Sequence, residues 1–228
     1  MFRTLALTAA AALVFTSSPA MAQEELQPAV QAAEAANERA SEFPLRVNFD
    51  LNEDRENILF LDLSTGERVG IRLVPQWAPN HVERIKTLAR QGFYNGVPFH
   101  RVIDGLMAQT GRGETSLPNL EEEFNFLPHI RGTVSMARLP NDNDSANSQF
   151  FIVFYPHFAW DRQYTNFGRV IHNMPAVDAI QRGEPPANPT RILQASIAAD
   201  DIPQMMPGED AAEEDEGEIT LDMLNGEF

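Results

Sequence analysis

Two stretches of the chain set polar groups among aromatic and aliphatic ones where a strand would be simpler. The first is Phe99-His100-Arg101-Val102-Ile103-Asp104-Gly105-Leu106-Met107-Ala108-Gln109-Thr110-Gly111. A period of two puts Phe99, Arg101 and Ile103 on one strand face, with Met107 and Gln109 one residue out of phase on the next strand. A guanidinium among apolar neighbours is costly unless something holds it, and Gln109 is the nearest amide in the segment. Arg101 alone is equally what a surface arginine in a hairpin looks like. The second stretch runs from Gly132 to Arg138 and, after a loop, from Asn147 to Val153. Gln149 and Phe151 share a face there, and Ala137 is small enough to leave space over them. Taken singly, these also suit ordinary sheet packing.

The usual catalytic templates are missing. The sequence has no GxSxG elbow, no HExxH and no Gly-rich phosphate loop, and its five histidines show no ligand spacing. With no cysteine, disulfides, thiol nucleophiles and thiolate metal sites are excluded. The run Glu121 to Glu123 reads as a solvated loop. Neither a metal nor a cofactor is expected.

The elements that must position these residues are short. Ile58 to Leu63 is apolar on both sides, turns at Ser64-Thr65-Gly66 and returns as Val69 to Leu73, a hairpin. Pro79-Asn80 opens a helix whose apolar face is Val82, Ile85, Leu88 and Ala89, ended by Gly92. Further strands are expected at 99–103, 106–110, 133–137, 150–154, 165–170 and 191–198, with a second helix over Pro175 to Gln181. Many short strands and two separated helices predict a closed antiparallel barrel or sandwich, because closure removes exposed edges.

The ends of the chain differ from this middle. Residues 1–22 read as a cleavable signal peptide: Arg3, an apolar run from Leu5 to Phe15, then Ala20-Met21-Ala22. That run is too short for a stable membrane anchor, so a periplasmic or secreted protein is expected. Residues 23–44 form an Ala/Glu-rich spacer or short helix, the patterned domain covers 45–202, and 203–228 reads as an acidic disordered tail. After Pro207 there are nine acids and no Lys or Arg, which contributes much of the formal charge of −16. Such acidity excludes a sequence-independent grip on nucleic acid and docking on anionic lipid. Arg101, Arg112, Arg131 and Arg138 are expected to concentrate cations near the two stretches, where the tail could fold back.

Together, these motifs resemble the cyclophilins, the cyclosporin-binding peptidyl-prolyl cis-trans isomerases. The resemblance runs from about Leu45 to Ile202 and rests on Gly92-Phe93-Tyr94, the 99–111 stretch, Gly132 to Ala137, Ser148 to Ile152 and Phe167-Gly168-Arg169-Val170. It implies an eight-stranded antiparallel β-barrel, mainly β, capped by two helices, with an outer groove that takes an X-Pro peptide. By position, the resemblance makes Arg101 the catalytic arginine, with Gln109 beside it. Phe99, Leu106, Met107, Ala137, Arg138, Gln149, Phe151, Trp160 and Tyr164 would bind substrate, Ala137 and the backbone of Arg138 forming the edge that pairs with the peptide. The partners implied are proline-containing polypeptides, unfolded exported proteins among them, met by a monomer.

Departures from the family pattern are local. Spacing puts Ala159 in the slot of the groove tryptophan, with Trp160 one place late; Leu106 stands for a common Phe, Asp104 for a Pro and Tyr164 for a groove His. A less aromatic pocket, and weak cyclosporin binding, are therefore expected. The competing reading is a proline-peptide-binding chaperone whose catalysis is incidental, which would have no need of the Arg101 charge.

Overall fold

Residues 43–208 of the chain are described by a computed structural model. The expected leader, the spacer up to residue 42 and the acidic run 209–228 lie outside the described residues. The chain divides into two units, Met1–Phe43 and Pro44–Phe228, and every element below belongs to the second.

Strands β1 (Ile58–Leu63) and β2 (Arg68–Leu73) form the expected hairpin. Helix α1 (Pro79–Arg90) follows, with proline in its first turn, where no amide hydrogen is needed. Gly92, at φ +70°, takes the chain out of the helix in a conformation that disfavours a side chain. Then come β3 (Arg101–Ile103), β4 (Met107–Thr110), β5 (Thr133–Met136), β6 (Phe150–Val153) and β7 (Asn166–His172). Helix α2 (Met174–Asp178) and β8 (Ile192–Ile197) complete the set. The strands make one antiparallel sheet in the order β3-β4-β6-β5-β7-β2-β1-β8.

One side of the curled sheet supplies the core. Leu59, Leu61, Ile71, Val134, Phe150, Ile152, Phe167 and Ile197 are fully buried there, together with Val82, Ile85 and Leu88 of α1. Burying a side chain of this size is worth about 1.5–3 kcal/mol, so these residues supply the main driving force.

Three sequence expectations need correction. The barrel is not sealed by a full ladder: β3 and β8 end the sheet and meet through one bridge, Pro98 to Arg191, with flanking amide bonds from Phe99 to Thr190 and from Ile192 to Val97, each 2.9 Å. Pro98 has no amide hydrogen and β3 is three residues long, so the seam has few groups to pair. Helix α2 stops at Asp178, not at Gln181. The Gln181 amide donates instead to the Thr190 hydroxyl (3.2 Å), and Gly183 exchanges backbone bonds with Val102. Finally, residues 203–206 are not free tail: the Met205 amide donates to Asp62 (2.8 Å) and Gln204 to the Gly66 carbonyl (3.2 Å), pinning the segment to the β1–β2 hairpin.

Candidate active site

Register brings the two polar stretches together. Across four neighbouring strands, Arg101 lies opposite Gln109, Gln109 opposite Phe151, and Phe151 opposite Ser135. Directly paired residues share a face, so these four form one outward row. A second row, Ile103, Met107 and Val153, runs beside it. The intervening residues Val102, Ala108, Ile152 and Val134 enter the core. The apparent phase difference between β3 and β4 thus disappears, because the Asp104-Gly105 turn sets Arg101 against Gln109.

Above the rows is a small apolar cluster separate from the main core. Met107, Phe151 and Val153 are its buried floor, and Ile103, Leu106, Ala137, Trp160 and Tyr164 pack around them. The cup encloses about 280 Å³, with Arg101, Gln109 and Arg138 on its rim. The Phe151 ring is met edge-on by Trp160 at 5.1 Å and by Tyr164 at 5.5 Å. Such edge contacts hold aromatic rings in fixed relative orientations. Trp160 itself therefore occupies the wall, while Ala159 is exposed in the short helical turn Phe158–Trp160. The expected shift at the tryptophan slot does not occur, since Trp160 and not Ala159 lines the cup, while Leu106 and Tyr164 lie where the sequence placed them.

The polar groups are held differently from what the sequence suggested. The Gln109 amide donates to the Gln149 side-chain oxygen (3.0 Å), so Gln109 braces Gln149. Arg101 is gripped instead by Glu184, whose carboxylate accepts from Nε at 2.6 Å. The Arg101 side chain is 46% exposed and lines the cup, with Glu184 engaging its Nε. Arg138 lies over the Tyr164 ring at 4.9 Å and donates to the Gln163, Leu139 and Pro140 carbonyls. It also lines a neighbouring open trough of about 550 Å³, shared with Ala137, Gln149, Glu114 and Asn147. The Ala137 amide is taken by the Gln149 carbonyl (2.9 Å).

Phe99 is the predicted site residue that the structure places elsewhere. It is fully buried in the main core, not beside Arg101. Residues 98 and 101 pair with different partners, Arg191 and Gln109, so strand alternation is broken between them. Arg131 is also remote: it pairs with Asp178 at 2.5 Å and lines a separate cavity with Arg169 and Met174. Glu184 and Ser135 are site neighbours that sequence reading missed. Ser135 was reachable by counting alternate residues from Ala137; Glu184 had no signal, since its approach depends on the turn after α2.

Two histidines lie close to the site. Burial, and then the nearby Arg112, push His100 from an ordinary 6.5 down to about 4. Burial likewise lowers His129, against the opposing effect of its bond to Asp161. Both are neutral near pH 7. Among the described residues no cluster of acids and histidines has the arrangement of a metal site, and no helix is long and apolar enough to cross a membrane.

Comparison with known proteins gives the family. Residues 60–197 match the family described as cyclophilin type peptidyl-prolyl cis-trans isomerase/CLD. A probable peptidyl-prolyl cis-trans isomerase of Brucella suis is 44% identical over 169 residues, covering 64% of this chain and 85% of that protein. Peptidyl-prolyl cis-trans isomerase A of Dickeya dadantii is 38% identical over 136 residues, 54% of this chain and 70% of the relative. A crystal structure of a Hirschia baltica cyclophilin superposes with a TM-score of 0.62 at 28% identity, covering 66% and 77% of the two chains. A Cryptosporidium parvum cyclophilin solved in the presence of the dipeptide Ala-Pro shares the fold, with TM-score 0.56 at 21% identity over 61% of this chain and 98% of that one. The chain belongs to the cyclophilin-type peptidyl-prolyl cis-trans isomerases, and it is an isomerase of X-Pro peptide bonds.

Proposed function

We propose that this isomerase acts on X-Pro bonds of exported polypeptides, seating the prolyl ring in the Met107–Phe151–Trp160 cup and stabilising the twisted amide with Arg101. One observation carries the reading: the half-exposed Arg101 side chain lines a cup of about 280 Å³ floored by Met107 and Phe151. Amide resonance sets a rotation barrier of about 18–20 kcal/mol. At the twisted geometry the prolyl nitrogen regains its lone pair, and a fixed cation aimed at it favours that state over either planar isomer. Raising a rate of about 0.01 per second to about 1000 requires about 7 kcal/mol, within reach of desolvation, one charge-assisted bond and clamping of the flanking chain combined. No bond is made or broken, so no nucleophile enters the reaction.

The trough beside Ala137 and Gln149 suits the extended residues before proline. The Ala-Pro dipeptide present with the Cryptosporidium relative supports a proline-peptide ligand. The leader-like residues 1–22 support export to the periplasm, where polypeptides arriving unfolded would be the clients. Arg101→Ala should cut isomerisation of a short Xaa-Pro peptide at least tenfold, with an unchanged far-ultraviolet circular dichroism spectrum; full activity in a folded mutant refutes the mechanism. Recovery of the processed protein in a periplasmic fraction checks the location.

A further inference from the structure

Beside the cup lies a chain of polar groups, two of the three buried, that the isomerase chemistry does not use. The His129 ring sits between Asp161 and Ser135: its Nδ1 is 2.9 Å from Asp161 Oδ1, and its Nε2 is 3.0 Å from Ser135 Oγ. His129 is 1% exposed and Ser135 is fully buried. An ionised carboxylate only accepts, so the neutral ring carries its hydrogen on Nδ1 and receives the serine hydroxyl at Nε2. The order Asp161, His129, Ser135 is that of a hydrolase triad. No substrate carbonyl can reach a serine with no exposed surface, so the geometry serves another purpose.

Each end of this chain of contacts leads to one ring of the cup. Ser135 is the cross-strand partner of Phe151. Asp161 follows Trp160 directly and also accepts the His129 backbone amide at 2.7 Å, while the His129 carbonyl receives the His157 amide at 2.8 Å. The imidazole lies nearly parallel to Phe151, centroids 6.3 Å apart, and edge-on to Trp160 at 6.2 Å. The loop carrying Trp160 is therefore fastened to β5 through His129.

We propose that His129 is a positioning residue for the isomerase: bridging Asp161 to Ser135, it sets the Trp160 ring against Phe151 and so shapes the cup for the prolyl ring. This rests on the assignment of the groove made above. Loosening the wall weakens ground and transition states together, which raises KM more than it lowers kcat.

The test compares His129→Phe, which loses both side-chain bonds, with His129→Asn, whose amide keeps a donor near Asp161. Asp161→Ala is the second probe, changing a partly exposed side chain in case the buried variants fail to fold. With 5-fluorotryptophan, the protein shows two resonances, from Trp77 and Trp160, assigned by Trp160→Phe. We expect H129F and D161A each to raise KM at least fivefold with kcat within threefold, and to shift the Trp160 resonance of the free protein. H129N should restore most of both, and H129F/D161A should be no worse than H129F, as expected for one shared interaction. A folded H129F or D161A with wild-type KM and an unmoved Trp160 resonance overturns the proposal. A shifted resonance with unchanged KM would also overturn it as a cup-shaping role. Failure of the groove assignment itself would show separately, as full activity in R101A.

Discussion

Arg101 carries its charge half in solvent, held by Glu184 at 2.6 Å. An ion pair this exposed contributes about 0–1 kcal/mol, equivalent to no more than about fivefold in a rate. Glu184→Gln should therefore change kcat/KM less than about fivefold and leave the melting temperature within about 4 °C, in contrast to the activity loss expected for R101A; peptide assays and thermal melts on both variants check this. At this scale most of the site was legible in the chain. Arg101 and Gln109 stood out as polar groups among apolar ones, Met107 and Phe151 were assigned through the cyclophilin resemblance, and all four line one cup. Phe99 was misplaced and Glu184 missed. A two-residue period assumes one uninterrupted strand, which ends between residues 98 and 101, and an acid in a Pro-rich turn carries no mark of the arginine it will meet.

The strand pairing that assembles the cup depends on close backbone approach. Gly111 sits at φ +80° just after β4, and a Cβ there would lie 2.5 Å from the Ser148 carbonyl oxygen. The same junction holds Ser148, whose hydroxyl donates to the Gly111 carbonyl at 2.9 Å, next to Gln149. Gly111→Ala should cost about 1–3 kcal/mol of stability from backbone strain, and it should also lower kcat/KM by displacing Gln149. Urea denaturation with a parallel peptide assay measures both; an unchanged midpoint would mean that the junction relaxes freely. Most strand and helix positions were readable here from short apolar runs or a simple period, with turn residues such as Gly66, Gly92, Gly105 and Gly111 between them. The end of α2 was not, since the residues beyond Asp178 find hydrogen bonds with Thr190 and Val102 that compete with continuing the helix.

For the whole molecule, the depressed pKa values of buried and ion-paired groups make stability fall in acid. An unfolded histidine titrates near 6.5, whereas folded His100 does so at about 4, so between these values the unfolded chain binds a proton that the folded one refuses. Stability is then fully present above pH 6.5 and declines as pH falls towards 4, and burial of His129 acts in the same direction. Below 4.5 a further loss begins, because hydrogen bonds from Arg90 and Lys86 hold Glu56 down to about 2. The melting temperature should fall steadily from pH 7 to 4, with a shallower slope in His100→Asn; equal slopes would show that another group dominates. The sequence alone determined the family, the kind of reaction and the absence of thiol chemistry, and it singled out Arg101 as the candidate cation, since these depend on residue types at fixed spacings along the chain. Only the tertiary structure decided that Trp160 is in the wall, that Glu184 holds Arg101, that the barrel seam has a single bridge, and that His129 ties the Trp160 loop to β5. Each of those is a contact that no local period encodes, settled by which strands pair and how their loops fold over the sheet.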